Sequence, residues 1–261
     1  MSLTGHVTNR TYYDGGKSVL RWPLDALAPY LKMGVSWHDI IEARVCLAAE
    51  PWGTAEGVMK DSDYLDEADF NRTSHQGLDI FSETALDAKT LVMSVDADAY
   101  PLRTRFVRAG VTAGYRYEEH DYRGYNTRQT GYGPWADQTK TIVGPGTLYT
   151  AEYDMYSAGV VLDASVPGSV RFRFEASALA SVKGSDEDEH LRRNRVTFSS
   201  TSGHGYRTAL AASFRIQDAW AVTSSFSYTK IATDGHQVQY WYDDGPATPG
   251  SNDTGFRLTG V

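Results

Sequence analysis

The chain has 261 residues, with 33 Asp and Glu against 25 Lys and Arg, and a formal net charge of -8. This acidic balance argues against a nucleic-acid-binding protein, so we expect no nucleic-acid partner. No apolar run approaches the roughly 18 to 20 residues of a membrane-spanning helix, which excludes a helical membrane protein. The single Cys46 lies in no metal-ligand spacing, and we expect no metal site.

Long segments of the chain alternate apolar and polar residues with a period of two, and clusters of Gly, Asp, Asn and Pro separate them. The alternation is clearest in residues 107–117, 156–166, 170–182, 206–216 and 220–232. Such runs are longer than the roughly 5 to 6 residues of strands in soluble proteins. The pattern predicts an all-β chain whose strands each have one apolar and one polar face.

Two architectures could use such strands: a soluble β-sandwich, or an outer-membrane barrel with its apolar face toward lipid. The lengths of the connections favour the barrel. Short links at 166–169 and 216–219 alternate with long polar segments at 124–146 and 187–205, as periplasmic turns alternate with outer loops.

The number of apolar stretches is about eleven, the last at residues 255–261. Because bacterial barrels have an even number of strands, we expect residues 17–37 to contribute fewer strands than their pattern suggests. The prediction is an antiparallel up-and-down transmembrane β-barrel of about ten strands. It covers residues 1–261 as a single domain with long extracellular loops.

Two acidic motifs interrupt this pattern. In GVMKDSDYLDE, Asp61 and Asp63 are two residues apart, and in KGSDEDEHLRR, Asp186, Asp188 and His190 occupy alternate positions. Strand residues two apart point to the same side. A carboxylate beside an imidazole suits a general base, and two close carboxylates can share a proton and hold a water. Either motif alone is also typical of a solvated acidic loop.

Taken together, the two motifs resemble those of the omptin family of outer-membrane proteases. The family carries Asp-x-Asp, an aromatic residue and a further Asp on one outer loop, matched by Asp61, Asp63, Tyr64 and Asp66. It carries Ser-Asp-x-Asp-Glu-His on another, matched by residues 185–190. Weaker similarity covers LTGHVTNRTYY, PWG and RAGVTAGYRY. Omptins are ten-stranded barrels, which agrees with the reduced strand count.

The resemblance implies that Asp188 and His190 form a catalytic dyad, that Asp61 and Asp63 form the opposing pair, and that an activated water lies between them. It implies an endopeptidase of the bacterial outer membrane that cleaves polypeptides next to basic residues, with its active site facing the extracellular side. No organic cofactor and no acyl-enzyme are implied. The alternative is a barrel of the same fold that acts as an adhesin or a pore.

Two departures from the family bear on specificity and on lipid binding. The family's pocket for a basic residue uses two acids; Asp186 matches one, but Asn9 stands where the first strand of the family has Glu. We therefore expect weaker recognition of Arg or Lys. The family binds lipopolysaccharide through a Tyr-x-Glu-x-Arg run, which corresponds here to Tyr115, Tyr117 and Glu119. Lipopolysaccharide, as a lipid partner or activator, is expected to depend on other groups or to matter less.

In the strand that carries the dyad, the apolar–polar alternation would direct the dyad to the lipid-facing side of the barrel. Even-numbered residues from Val170 to Val182 are apolar and should face lipid, yet Asp186, Asp188 and His190 are also even. A cleft inside the barrel requires the opposite orientation. We therefore expect a β-bulge between Val182 and Asp186, at Gly184, because glycine tolerates the backbone angles of a bulge.

Overall fold

The computed structural model describes residues 1–13, 16–65, 77–166, 170–217, 220–241 and 248–260. In this part of the chain no helix is long and apolar enough to cross a membrane, and its one helical element is a 3-10 turn at Gly133–Trp135. The strands, in chain order, are β1 (Ser2–Leu3), β2 (His6–Tyr13), β3 (Gly16–Pro23), β4 (Ala26–Leu27), β5 (Tyr30–Trp37), β6 (Ile41–Tyr64), β7 (Ile80–Arg103), β8 (Val107–Gly131), β9 (Thr139–Val166), β10 (Val170–His190), β11 (Arg195–Gln217), β12 (Trp220–Trp241) and β13 (Thr248–Gly260).

Ten strands are connected in a cycle of antiparallel pairs. From β6 to β13 each strand pairs with the next, β13 pairs with β2, β2 with β3, and β3 with the C-terminal end of β6. The other end of β6 pairs with β5, so β3 and β5 are two parts of one interrupted strand. The predicted antiparallel barrel is confirmed, and so is the smaller contribution of residues 17–37.

A band of exposed apolar side chains surrounds one part of the barrel. Phe226, Leu210, Phe174 and Leu162 are cross-strand neighbours on four successive strands, and all four are exposed. An apolar outer band of this kind is the surface that a transmembrane barrel presents to lipid.

The lumen behind this band is filled with paired charges. Arg173 Nη2 lies 2.7 Å from Asp98 Oδ2, and Arg108 Nη2 lies 2.6 Å from Asp163 Oδ2. Buried charges are tolerated when each has an opposite partner at this distance. Next to this layer, towards the end of β10, lies a buried apolar cluster that includes Trp22, Leu86, Tyr122, Tyr149 and Val182. These side chains occupy the space that a porin leaves open to water.

The topology brings both acidic motifs to the same rim. Neighbouring strands are antiparallel, so β6, β8, β10 and β12 run in the same direction and end together. Asp61 and Asp63 lie at the end of β6, and Asp188 and His190 at the end of β10. The strands β7, β8 and β9 separate the motifs on one side and five strands separate them on the other, so they face each other across the mouth of the barrel.

The segments 124–146 and 187–205, expected to be long outer loops, are mostly strand. β8 continues to Gly131 and β9 begins at Thr139, while only residues 191–194 connect β10 to β11. Beyond the apolar band a strand needs no apolar face, so a polar sequence there is compatible with both loop and strand. The sequence pattern cannot separate the two.

β10 does change phase, but not where the sequence predicts. Its register against both neighbouring strands shifts just after Leu179 and is continuous from Val182 to His190. Before the shift Glu175 and Leu179 are buried, and after it Val182 and Asp186 are buried. The predicted position between Val182 and Asp186 is therefore wrong, although the predicted consequence holds: the dyad faces the interior.

Gly184 has a different role from the one predicted. A Cβ atom on Gly184 would lie 2.6 Å from Thr201 Oγ1, so the residue is small because β11 packs closely against it. The alternation of apolar residues predicts that Val182 faces lipid, but an apolar side chain suits a protein core as well as lipid. In the structure Val182 is 0% exposed and belongs to the apolar cluster.

Cysteine labelling tests which side chains of β10 face outward and which face inward after Leu179. In a Cys46→Ser background, we expect a polar maleimide to react rapidly with Lys183→Cys in the folded barrel, because Lys183 points outward beyond the apolar band. Val182→Cys should react only after unfolding, because this side chain is buried. The reverse order of reactivity would show that the bulge lies after Val182.

Candidate active site

A cleft of about 490 Å³ opens at the rim where β6 and β10 end. Its lining includes Asp61, Asp63, Asp188 and His190, the four residues predicted to be catalytic. The structure therefore brings together two motifs that are more than one hundred residues apart in the sequence.

The Asp188–His190 pair is held in a defined geometry. His190 Nε2 lies 3.1 Å from Asp188 Oδ2, and the Thr147 hydroxyl donates a 2.9 Å hydrogen bond to Asp188 Oδ1. Burial acts to raise the pKa of Asp188, but the charge of His190 and the hydrogen bonds from His190 and Thr147 outweigh it and lower the pKa. Asp188 is thus an ionised carboxylate that orients the imidazole.

The Asp61–Asp63 pair has the opposite electrostatics. Burial first, and then the charge of Asp63, raises the pKa of Asp61 to about 8. Burial also raises the pKa of Asp63, against the effects of Ser18 and two arginines. Ser18 Oγ donates a 2.9 Å hydrogen bond to Asp61 Oδ1. Two close carboxylates share a proton when both cannot ionise, so the pair offers both a donor and an acceptor near neutral pH.

The two pairs interact across the cleft. The negative charge of Asp188 contributes to the raised pKa of Asp61, and the charge of His190 acts to lower the pKa of Asp63. A small polar molecule in the cleft would therefore lie between a base and a proton-sharing acid pair.

Asp186 and Asn9 lie in a layer beneath the cleft and do not line it. Asp186 is 7% exposed, accepts a 2.8 Å hydrogen bond from Ser199, and has a pKa raised to about 7 by burial. Asn9 is 4% exposed, and its Nδ2 donates a 2.6 Å hydrogen bond to the hydroxyl of Tyr149. Burial, and then the charge of Asp186, raises the pKa of Tyr149, which links the two residues. Their role in substrate binding stays a prediction.

An aromatic floor supports the cleft. Trp22 stacks on Tyr149 with ring centroids 4.2 Å apart and planes 8° from parallel, and its centroid lies 5.2 Å from that of Tyr122. Stacked rings bury a large area and have little freedom to move. The floor separates the cleft from the charged layer deeper in the lumen.

Sequence reasoning missed several residues of this site. Thr147 and Ser18 come from other strands and carry no local signal. Arg192, Arg193 and Arg195 also line the cleft, although they lie within five residues of His190 in the sequence. Asp66, the further acid of the first motif, lies outside the described residues. Among those described, no three His, Cys, Asp or Glu side chains are arranged to hold a metal ion.

These features define a β-barrel protein with a dyad of Asp and His facing a pair of Asp at one rim. The model of the Omptin family matches residues 2–257, and the chain belongs to this family, whose members are outer-membrane β-barrel proteins. No curated protein sequence matches the chain. Among solved structures it is similar to the outer membrane protease OmpT from Escherichia coli, with 17% identity, coverage of 99% of this chain and 90% of that one, and a TM-score of 0.81. At this identity the likeness establishes the fold.

The raised pKa of Asp61 predicts a pH-dependent cost to stability. The folded-state pKa lies above the unfolded value near 4, so the folded state binds more protons, and the free energy of unfolding falls as pH rises from about 4 to about 8. Asp61→Asn removes this cost. We expect the variant to be more stable than the parent at pH 9, by on the order of 1 kcal/mol because cleft water screens the charge, and to gain nothing at pH 4.

Urea unfolding in lipid vesicles at the two pH values measures this difference. Glu187→Gln is the matched control, because Glu187 is exposed on the outer face of the same rim. The absence of a gain at pH 9 would show that Asp61 ionises in the folded protein at no cost. An equal gain at both pH values, or the same gain in the control, would show that the gain does not come from the charge of Asp61.

Proposed function

We propose that the protein is an outer-membrane endopeptidase of omptin type, formed by the whole chain as one barrel domain. The observation that carries this proposal is the Asp188–His190 pair facing the Asp61–Asp63 pair across one cleft. A water between the pairs loses a proton to His190 and attacks the scissile carbonyl of a bound peptide. His190 then gives this proton to the leaving amine as the C–N bond breaks.

Asp188 supports this step as the ionised partner of His190. When the imidazole gains a proton, the carboxylate 3.1 Å away offsets the new charge. Thr147 acts as a positioning residue, because its hydrogen bond fixes the carboxylate that in turn fixes the ring.

The Asp61–Asp63 pair acts on the other side of the water. Its ionised member positions the water, and its protonated member donates a hydrogen bond to the oxyanion that develops on the carbonyl. Ser18 keeps Asp61 in place for this role. The pair therefore needs its shared proton, which the burial of both carboxylates favours.

The filled lumen opposes the alternative of a pore. Charge pairs such as Arg173–Asp98 and the aromatic floor around Trp22 lie below the cleft. A pore needs a continuous aqueous path through these layers. An adhesin would need no cleft in which a dyad and an acid pair meet.

We place the active site on the extracellular side of the outer membrane. Strands extend past the apolar band at the cleft end, where Lys183, Ser185 and Glu187 point outward from β10. Barrels of this class extend further outward than into the periplasm.

Lipopolysaccharide is the expected lipid partner, but Tyr115 and Tyr117 donate hydrogen bonds to Asp154 and Glu119. This acidic outer face disfavours direct contact with lipid phosphates, so divalent cations would have to bridge them.

Two substitutions test the mechanism. His190→Ala and Asp61→Ala should each lower kcat/KM for peptide cleavage by about 100-fold or more, since each removes a group that acts on the reacting water. Glu187→Ala removes an exposed carboxylate beside Asp188 and serves as the matched control. Heat-modifiable migration on gels reports whether each barrel folds. A folded His190→Ala or Asp61→Ala variant with near-parental activity would contradict this mechanism.

We further propose that the substrate has a basic residue before the cut, directed toward Asp186. Asp186 lies one inward position below Asp188 on β10, and the absence of a second acid at Asn9 weakens this preference. Because the pKa of Asp186 is raised to about 7, a bound guanidinium would favour its ionised form.

Asn9→Glu therefore should raise the ratio of kcat/KM for an Arg peptide over its neutral counterpart, by roughly fivefold or more. The physical reason is a second carboxylate in the layer that holds Asp186 and Tyr149. Asn9→Gln has nearly the same size without the charge and is the matched control. Equal ratios for the two folded variants would mean that residue 9 does not contribute to this pocket.

A further inference from the structure

We propose that Arg193, supported by Arg195, forms an anion subsite on the β11 side of the cleft that binds a carboxylate of the peptide substrate. The carboxylate is an acidic side chain near the scissile bond or the C-terminal carboxylate of a short peptide. This inference rests on the proposed protease function and adds a second element of specificity to it.

The hairpin geometry places the arginines beside the dyad. Residues 191–194 form the turn between β10 and β11, and Arg195 pairs directly with His190 across the two strands. Directly opposed residues of an antiparallel pair point to the same face of the sheet. Arg195 and His190 accordingly both line the cleft, and Arg193 lines it from the turn.

Two of the three arginines have structural partners. Arg192 donates hydrogen bonds to the backbone oxygens of Pro145, at 3.0 Å, and Val143, at 2.6 Å. These bonds fasten the turn to the start of β9. When the Gln239 amide is oriented with its oxygen toward Arg195, that oxygen lies 2.9 Å from both Nε and Nη1 of the guanidinium. The turn that carries Arg193 is thus held at both sides.

The backbone N–H of Arg193 donates a 2.9 Å hydrogen bond to the backbone oxygen of His190. Its side chain is exposed, and its guanidinium makes no hydrogen bond or ion pair with the residues that the structure describes. Its charge reaches Asp61 and Asp63 through space and acts to lower the pKa of both. A planar guanidinium with unoccupied donors can form a bidentate pair of hydrogen bonds with a carboxylate. Arg193 can therefore form this contact without breaking an existing one.

The charge of the cleft favours such a ligand. With one proton shared by Asp61 and Asp63, the described lining carries three guanidinium groups against two carboxylate charges. A substrate with only positive side chains would meet repulsion on the β11 side. A substrate with a basic residue toward Asp186 and a carboxylate toward Arg193 complements both sides of the cleft.

Paired peptides test the subsite on the refolded full-length barrel. Blocked peptides share one basic residue at the cut and carry either Asp or Asn at each flanking position in turn. We expect kcat/KM to favour Asp over Asn by roughly 3- to 10-fold at one position, and the preference to weaken in about 0.5 M salt. A free and an amidated C-terminus on a short peptide distinguish an acidic side chain from a terminal carboxylate.

Arg193→Gln should bring the Asp to Asn ratio close to one, whereas Lys183→Gln, which removes the same charge from the outer face, should keep it. Cleavage of both peptides at equal rates by the parent, or an unchanged ratio in Arg193→Gln, overturns the subsite and leaves the protease proposal intact. Should neither peptide be cleaved, the protease proposal fails. Fluorescence anisotropy then decides the subsite: tighter binding of the Asp peptide, lost in Arg193→Gln, supports it, and equal binding overturns it.

Discussion

One extra residue in β10 determines on which side of the barrel wall the candidate active site lies. A shift of one residue moves every following side chain of a strand to the other face. Before the shift after Leu179, Phe174 faces outward in the apolar band; after it, Asp186 and Asp188 face inward. The same strand therefore presents apolar side chains to lipid along one part and lines the cleft along the other. Without this shift the dyad would point away from the Asp61–Asp63 pair.

The carboxylates of the cleft have pKa values shifted in opposite directions, because their neighbouring groups differ. Asp188 is half-buried, but His190 and Thr147 keep its pKa low. Asp61 is beside another carboxylate and has a raised pKa. Neighbouring groups with pKa values moved in opposite directions can act as base and acid at one pH. Arg193 and Arg195 add positive charge next to both pairs, and this charge limits how far the acid pair can hold its proton.

Much of the fold could be predicted from the sequence. Period-two alternation identifies strands such as residues 206–216 without tertiary information, and the requirement for an even number of strands correctly reduced the contribution of residues 17–37. The four cleft residues Asp61, Asp63, Asp188 and His190 were found because their types and spacing are local features. The family and the barrel fold agree with the resemblance that these motifs carry.

The rest depends on contacts that the pattern does not contain. Val182 suits lipid and core equally, so only its neighbours in the folded barrel decide its side. Thr147 and Ser18 act through hydrogen bonds to residues on other strands. The proposed role of Arg193 depends on its position in the folded cleft, which the sequence pattern does not contain. Polar sequence at 124–146 could not distinguish loop from strand because both are solvated beyond the membrane.

Hydrolysis of a fluorogenic peptide with two adjacent basic residues, in water enriched in oxygen-18, tests whether this barrel is a water-activating protease. The refolded protein is assayed at neutral pH with and without lipopolysaccharide, and the products are weighed by mass spectrometry. We predict cleavage beside a basic residue, one heavy oxygen in the new carboxyl group, and no covalent peptidyl adduct on the protein. An intact peptide under both lipid conditions, or a trapped covalent adduct, would contradict a water held between Asp188–His190 and Asp61–Asp63.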